Sequence, residues 1–151
     1  MGYTNHWDIE PSFLKQKPFK FDPQMLTIMK HVVAFYNKQQ TDEKMQLKSR
    51  ITAKRIQLYG EPATYESFDI ILDKNPRIGR IGIDSFSFCK TAREPYDRVV
   101  KVFLNLLKYF KVIKSWRHED NCRCAEYKNA VAFAKQVYTA EEFNRYWMQK
   151  A

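Results

Sequence analysis

The sequence predicts an α+β fold, in which helices pack on one face of a small and mainly antiparallel sheet. Strand-like segments and amphipathic segments alternate along the chain, and short turns of the kind that connect antiparallel neighbours join the central strands. With 151 residues, 44% of them hydrophobic, the chain is long enough to bury one core. We therefore expect a single domain over residues 1–151.

The first two predicted elements are an N-terminal strand and a long helix. Residues 2–7, GYTNHW, are short, aromatic and β-prone, which predicts a strand. Asp22 suits the N-cap of the following helix, and Pro23 suits its first position. The helix then presents one apolar face at helical spacing, formed by Met25, Met29, Val32, Val33 and Tyr36.

An antiparallel meander is predicted for the middle of the chain. Its three strands cover residues 51–59, 66–72 and 81–88, and turns that contain Gly and Pro separate them. The charged segment before them, residues 41–50, fits either a loop or a short helix.

A second long helix is predicted over residues 92–110. Thr91 and Glu94 have the spacing of a capping box, and Pro95 falls in the first turn, where no helical amide bond is lost. The buried stripe of this helix consists of Val99, Val100, Phe103, Leu106, Leu107 and Phe110. The opposite, polar face carries Arg98, Lys101, Asn105 and Lys108.

The C-terminal part predicts one more strand and two helices. Residues 112–116 form the strand, and residues 124–138 form a helix with apolar side chains on one side. Thr139 and Glu142 have capping-box spacing and open a last helix. That helix carries Phe143, Tyr146 and Trp147.

The charge balance indicates an anionic partner. The chain has 26 Lys and Arg against 17 Asp and Glu, a net charge of +9 that attracts nucleic acid or an acidic protein surface. A solvated surface without a specific partner is the alternative. No stretch approaches the roughly 20 apolar residues of a membrane span, no secretory signal is present, and 3 cysteines, an odd number, argue against a disulfide framework. We expect an intracellular protein without a membrane span.

Lys90, Thr91 and Arg93 form a candidate anion-binding site. The start of a helix presents free amides and the positive end of the helix dipole, and the two cations would add to that positive potential. In the structural alternative, Thr91 only caps the helix and Arg93 pairs with Asp97 four positions later. Both interpretations remain open at the level of sequence.

The sequence predicts no catalytic residue, no metal site and no cofactor. Cys89 is too close to Arg93 for a phosphatase loop, and no glycine lies between them. His118, Cys122 and Cys124 lack an evident fourth ligand nearby, and Cys-x-Cys is not the spacing of a zinc knuckle.

Two stretches of the chain form a recognisable pair of motifs, FCKTAREPYD at residues 88–97 and GYTNHW at residues 2–7. The pair resembles a family of small uncharacterised proteins of tailed phages and large DNA viruses. Members of that family typically begin Gly-Tyr-Thr-His-Tyr-Trp and carry Phe-Cys-Lys-Thr-Ala-Arg-x-Pro-Tyr-Asp. The resemblance implies a viral context and a pocket where the N-terminal strand meets the second motif. The candidate pocket residues are Tyr3, His6, Trp7, Cys89, Tyr96 and Asp97.

The first motif departs from the family pattern. Where the family usually has His followed by Tyr, this chain has Asn5 followed by His6. A shift of one residue along a strand moves a side chain to the opposite face, so a chemical role of the family histidine is expected to be lost here.

Together these features predict a non-enzymatic basic binding or structural protein of viral origin, located in the virion or the host cytoplasm. Its expected partners are nucleic acid, an acidic protein surface, or a capsid or other viral protein. The alternative is a small enzyme or ligand-binding protein that holds a phosphate-bearing molecule at Lys90, Thr91 and Arg93.

Overall fold

A computed structural model of the chain describes residues 4–42, 46–59, 68–73, 82–85, 88–90, 96–118 and 125–147, with the backbone alone for residues 4, 73, 82–85, 88–90 and 118. These residues form an α+β structure, which confirms the predicted fold class. The strands are β1 (Thr4–Ile9), β2 (Lys48–Thr52), β3 (Arg55–Tyr59), β4 (Phe68–Asp73), β5 (Gly82–Ser85), β6 (Phe88–Lys90) and β7 (Ile113–His118). The helices are α1 (Pro23–Lys38), α2 (Asp97–Tyr109), α3 (Ala125–Val137) and α4 (Ala140–Tyr146), and a short 3-10 helix (Pro11–Lys15) follows β1.

The strands form two antiparallel sheets. One has the order β6-β1-β7, and the other has the order β2-β3-β4-β5. The predicted strand over residues 81–88 is divided between them, since β5 pairs with β4 and β6 pairs with β1. Alternation along a segment predicts a strand but not its pairing partner, so a change of sheet within the segment leaves no mark in the pattern.

A tight hairpin lies inside the predicted strand over residues 51–59. Thr52 and Arg55 are paired in register, and Ala53 and Lys54 form the turn between β2 and β3. Neither Ala nor Lys is a typical turn residue, so this turn has no signature in the sequence. β2 begins at Lys48, so the end of the charged segment predicted as a loop or short helix is strand.

The helix α1 begins as predicted and is tied to the β2 segment at both ends. The Asp22 carboxylate accepts a hydrogen bond from the amide of Gln24 at 2.8 Å, and the predicted apolar face of α1 is buried. At the other end, Asn37 donates to the carbonyl of Leu47 (2.9 Å) and accepts from its amide (2.7 Å). The Phe21 amide donates to the carbonyl of Ala53 at 2.9 Å. These bonds fix the backbone immediately before and immediately after β2.

The helix α2 begins at Asp97, with Tyr96 at the N-cap position and no capping side chain. The predicted start at Ala92, with Thr91 as its cap, is therefore wrong. A proline disfavours the helical conformation in the residue before it, which accounts for a helix that starts after Pro95.

The middle of α2 is buried on all sides. The predicted stripe is buried from Val99 to Leu107, but Lys101 and Asn105, predicted on the polar face, are only 0% and 1% exposed. That part of the prediction is wrong, because α2 contacts β7, α1, α3 and α4 and so has no solvent-facing side over this length.

Aromatic contacts join the two sheets to α2. The ring of Trp7 in β1 lies 5.2 Å from that of Phe68 in β4, and Phe68 lies 6.3 Å from Phe103 in α2. Ile56, Leu58 and Ile70 belong to the same core and are 0% exposed. The four-stranded sheet is therefore covered on this face.

The two C-terminal helices follow the prediction. The predicted capping box is confirmed, since the Thr139 amide donates to the Glu142 carboxylate (2.8 Å) and the Glu142 amide donates to the Thr139 hydroxyl (3.1 Å). Trp147 is buried, its ring stacks on Phe143, and its indole N–H donates to the Tyr127 hydroxyl at 3.3 Å. Within the described part of the chain, no helix has the length and apolar character needed to cross a bilayer.

Candidate functional site

β1 and β6 bring the two sequence motifs side by side. Asn5 pairs in register with Cys89, and His6 pairs with Phe88. The second motif then leads through Tyr96 into α2, which packs against the same sheet. The sheet and the helix together hold residues of both motifs around one junction.

A buried polar network fills this junction. The Asn5 side-chain amide donates to the Asp97 carboxylate at 2.7 Å. The Lys101 ammonium donates to Asn5 Oδ1 at 2.9 Å and to Asp97 Oδ2 at 2.5 Å. All three side chains are almost wholly removed from solvent, with Asn5, Asp97 and Lys101 exposed by 0%, 2% and 0%.

The network continues along α2 to β7. Asn105 donates to the backbone carbonyl of Lys101 (3.1 Å), and its side-chain oxygen accepts from the Trp116 indole at 3.3 Å. Asn105 therefore links the helix interior to the edge strand β7.

The chemistry of this network favours a structural role. Burying an ion costs several kcal/mol unless an opposite charge and hydrogen bonds compensate for it, and here Asp97 and Lys101 compensate each other. Asn5 adds one donor and one acceptor that match the remaining groups. The three side chains hydrogen-bond to one another and hold β1 against α2.

The other predicted pocket residues have separate environments. Trp7 is 2% exposed, and its indole N–H has no hydrogen-bond partner. His6 is half-buried, whereas Tyr96 is 4% exposed. Tyr3 lies outside the described residues, and only the backbone of Cys89, in β6, is described.

The candidate anion site falls largely outside the described residues. Thr91 and Arg93 are not described, and the description of Lys90 covers its backbone in β6. The α2 N-terminus, on which that prediction relied, is at Asp97 and carries an acidic side chain in its first turn. Anion binding by these residues stays a prediction, without the helix start at Ala92 that motivated it.

The metal-site alternative also falls mostly outside the described residues. Cys122 and Cys124 are not described, and of His118 the backbone alone is described, within β7. Among the residues that are described, no group of three or more His, Cys, Asp or Glu side chains is placed to hold a metal ion.

Sequence reasoning missed the buried roles of Asn5, Lys101 and Asn105. A signal was present in α2, where Val102 and Leu104 put apolar side chains at both margins of the predicted polar face. A helix that is apolar on all sides is a buried helix, and a lysine inside it needs a partner, which the i,i+4 position of Asp97 supplies.

The four-stranded sheet presents a basic and partly aromatic surface on the side away from the core. Lys48 and Arg50 of β2 are exposed, and Arg55 and Tyr59 of β3 are half-buried. Lys48 pairs in register with Tyr59, and Arg50 pairs with Gln57, so these side chains share one face. We call these five side chains the basic face.

Gln57 orders the centre of the basic face. Its side-chain oxygen accepts from Arg55 Nη1 at 3.2 Å and from the Tyr59 hydroxyl at 3.0 Å. Its amide nitrogen donates to the Asp69 carboxylate of β4 at 2.7 Å. These bonds hold the guanidinium and the phenol in fixed positions before any partner arrives.

Sequence reasoning did not identify the basic face. Lys48 and Arg50 lie in the segment predicted as a loop or short helix. A single strand is predicted over residues 51–59, where the structure has the hairpin that brings them beside Tyr59. Lys48 and Arg50 alternate with Ser49 and Ile51, and this alternation was the available signal of a strand with its basic side chains on one face.

Comparison with family models, with curated proteins and with solved structures finds no match to the chain.

Proposed function

We propose that the protein is a non-enzymatic binding protein that holds single-stranded nucleic acid on the basic face of its four-stranded sheet. The observation that carries the proposal is the placement of the ordered Tyr59 ring beside Lys48 and Arg50 on a surface directed away from the core. The net charge of +9 supports the same partner.

Each part of the basic face suits one part of a nucleotide strand. The ammonium of Lys48 and the guanidinium of Arg50 would contact backbone phosphates, and these contacts account for affinity without base preference. The ring of Tyr59 would stack on one base. Stacking needs an unpaired base, because the faces of bases in a duplex are covered by their neighbours, and this favours a single strand.

Fluorescence anisotropy with a labelled oligothymidylate over a salt series tests the proposal. The two phosphate contacts predict that the logarithm of the association constant falls with the logarithm of salt concentration with a slope of about −1.4. Replacing the ring by Tyr59→Leu should weaken binding about 5- to 100-fold, the usual cost of losing one base stack. Absent binding, or binding that does not respond to salt, would overturn the proposal.

A matched pair of variants distinguishes binding on the basic face from binding caused by the net charge of the whole protein. The double variant Lys48→Gln/Arg50→Gln removes two cations from the basic face, and Lys30→Gln/Lys38→Gln removes two exposed cations from α1. We expect the first variant to lose about tenfold in affinity and the second to lose much less. Equal losses would mean that the strand binds by net charge, not on this sheet.

The motif resemblance adds a viral setting to this proposal. A basic nucleic-acid-binding protein would act either inside the virion, next to the packaged genome or a capsid protein, or in the host cytoplasm. Mass spectrometry of purified virions distinguishes the two, since detection favours a virion component and absence favours a host-directed role.

A further inference from the structure

A groove of about 410 Å³ lies between α3 and α4, on helices that do not contribute to the basic face. This volume lies in the range of small-molecule binding sites. Its lining combines apolar, aromatic and charged side chains, contributed by Lys135, Tyr138, Thr139, Ala140, Phe143 and Asn144.

The groove has an aromatic wall with a cation close to it. The ring of Phe143 is half-buried and stacks on Trp147 with a centroid distance of 5.8 Å and an interplanar angle of 10°. The exposed Lys135 places its ammonium 5.5 Å from the centre of the Phe143 ring. A positive charge therefore lies over a flat ring at the same opening.

Tyr138 gives a second, independent indication of a ligand. Its side chain is 6% exposed and lines the groove, yet its hydroxyl has no hydrogen-bond partner. A buried donor without a partner costs about 1–3 kcal/mol, which an acceptor atom could recover. Burial, with Tyr146 and Glu142 adding to it, raises the pKa of Tyr138, so the hydroxyl keeps its proton at neutral pH.

We propose that this groove binds a small planar anion, an aromatic ring that carries a phosphate or carboxylate group. The ring of the ligand packs on Phe143, its negative group lies against Lys135, and an acceptor atom takes the hydrogen bond that Tyr138 lacks. The site shares no residue with the basic face, so ligand binding here does not depend on nucleic-acid binding there.

Titration followed by NMR of the Trp147 indole N–H tests this site, because Phe143 stacks on that ring. Phenyl phosphate is the smallest probe of the class, and adenosine monophosphate is a larger one. We expect at least one of them to shift the Trp147 signal with an affinity about tenfold higher than phenol, adenosine or inorganic phosphate, a difference of about 1.4 kcal/mol. If neither probe shifts the signal, or if neither binds more tightly than its separate parts, the proposal is overturned.

Single substitutions test which side chains of the groove contact the probe. Lys135→Gln should weaken the better probe about fivefold or more, whereas Lys128→Gln, an exposed lysine of the same helix outside the groove lining, should leave its affinity unchanged. Tyr138→Phe keeps the ring and removes the hydroxyl, and we expect about a fivefold loss. Equal effects of the two lysine variants, or unchanged affinity in Tyr138→Phe, would contradict the assigned geometry.

Discussion

The Lys101 ammonium donates a 2.9 Å hydrogen bond to Oδ1 of Asn5, a residue 96 positions away in the sequence. The same ammonium pairs with Asp97, and Asp97 in turn accepts from the Asn5 amide. Each of the three side chains thus contacts the other two inside the core. Loss of any one removes a described hydrogen-bond partner from both of the others.

Replacing the buried cation should destabilise the protein strongly. Lys101→Met removes the described counter-charge of the buried Asp97 carboxylate, and we expect a loss of about 3–5 kcal/mol in the free energy of unfolding. Urea denaturation measures this loss. Lys108→Met, a half-buried lysine of the same helix, is the control and should change stability by about 0.5 kcal/mol or less.

A double-mutant cycle tests whether the network acts as a unit. Asp97→Asn removes the negative charge, and in the double variant Asp97→Asn/Lys101→Met neither member of the described ion pair is charged. We expect the double variant to lose less stability than the sum of the single variants, by about 1–3 kcal/mol. Additive losses would show that the two charges do not depend on each other.

The Asn37 side chain should protect the backbone of Leu47, the residue that precedes β2. Asn37→Ala leaves both the amide and the carbonyl of Leu47 without their described partner, and we expect a loss of about 1–3 kcal/mol. Hydrogen exchange of the Leu47 amide should accelerate in this variant. The neighbouring exposed residue gives the control, and unchanged exchange in Lys38→Ala alongside faster exchange in Asn37→Ala is the expected pattern.

The capping box of α4 should make a smaller contribution. Thr139→Ala removes the acceptor for the Glu142 amide and should cost about 1 kcal/mol, whereas Thr139→Ser keeps the hydroxyl and most of that stability. Thermal unfolding of the two variants measures the difference. Equal melting temperatures for Ala and Ser at this position would contradict the assignment.

Burial of Tyr138 should make the protein sensitive to alkaline pH. In the folded state the pKa of Tyr138 lies above its ordinary value of 10.0, so the folded protein keeps a proton that the unfolded chain loses. The free energy of unfolding is therefore fully maintained below pH 10 and falls as the pH rises above it, by at most about 1.4 kcal/mol per pH unit from this group. Tyr138→Phe should show a shallower decline. Parallel pH profiles for the two proteins would rule out this tyrosine as the cause.

The elements that the sequence predicted well depend on local chemistry. The start of α1 follows from Asp22 and Pro23, and the start of α4 follows from Thr139 and Glu142, because each set of residues satisfies amides within its own helical turn. The apolar face of α1 is equally local, since helical spacing alone determines which side chains share a side.

The features that escaped prediction depend on partners distant in sequence. The burial of Lys101 depends on Asn5 in another element, and the basic face depends on a hairpin turn at Ala53 and Lys54 that carries no turn signature. The start of α2 was misplaced for a different reason. The spacing of Thr91 suits a cap, but a competing signal, the conformational restriction imposed by Pro95, determines where the helix begins.

The arrangement of the two sheets has a consequence for how the chain folds. The four-stranded sheet is a meander of consecutive strands, so its pairings join neighbours in sequence and close short loops. β1 instead pairs with β6 and β7, which come much later in the sequence. The Asp97 carboxylate, which accepts a hydrogen bond from Asn5 of β1, lies 92 residues from it. During synthesis, therefore, we expect the meander to form first and β1 to remain an unpaired aromatic segment until β6 and β7 have been made, the period in which this chain is most exposed to aggregation and to capture by chaperones.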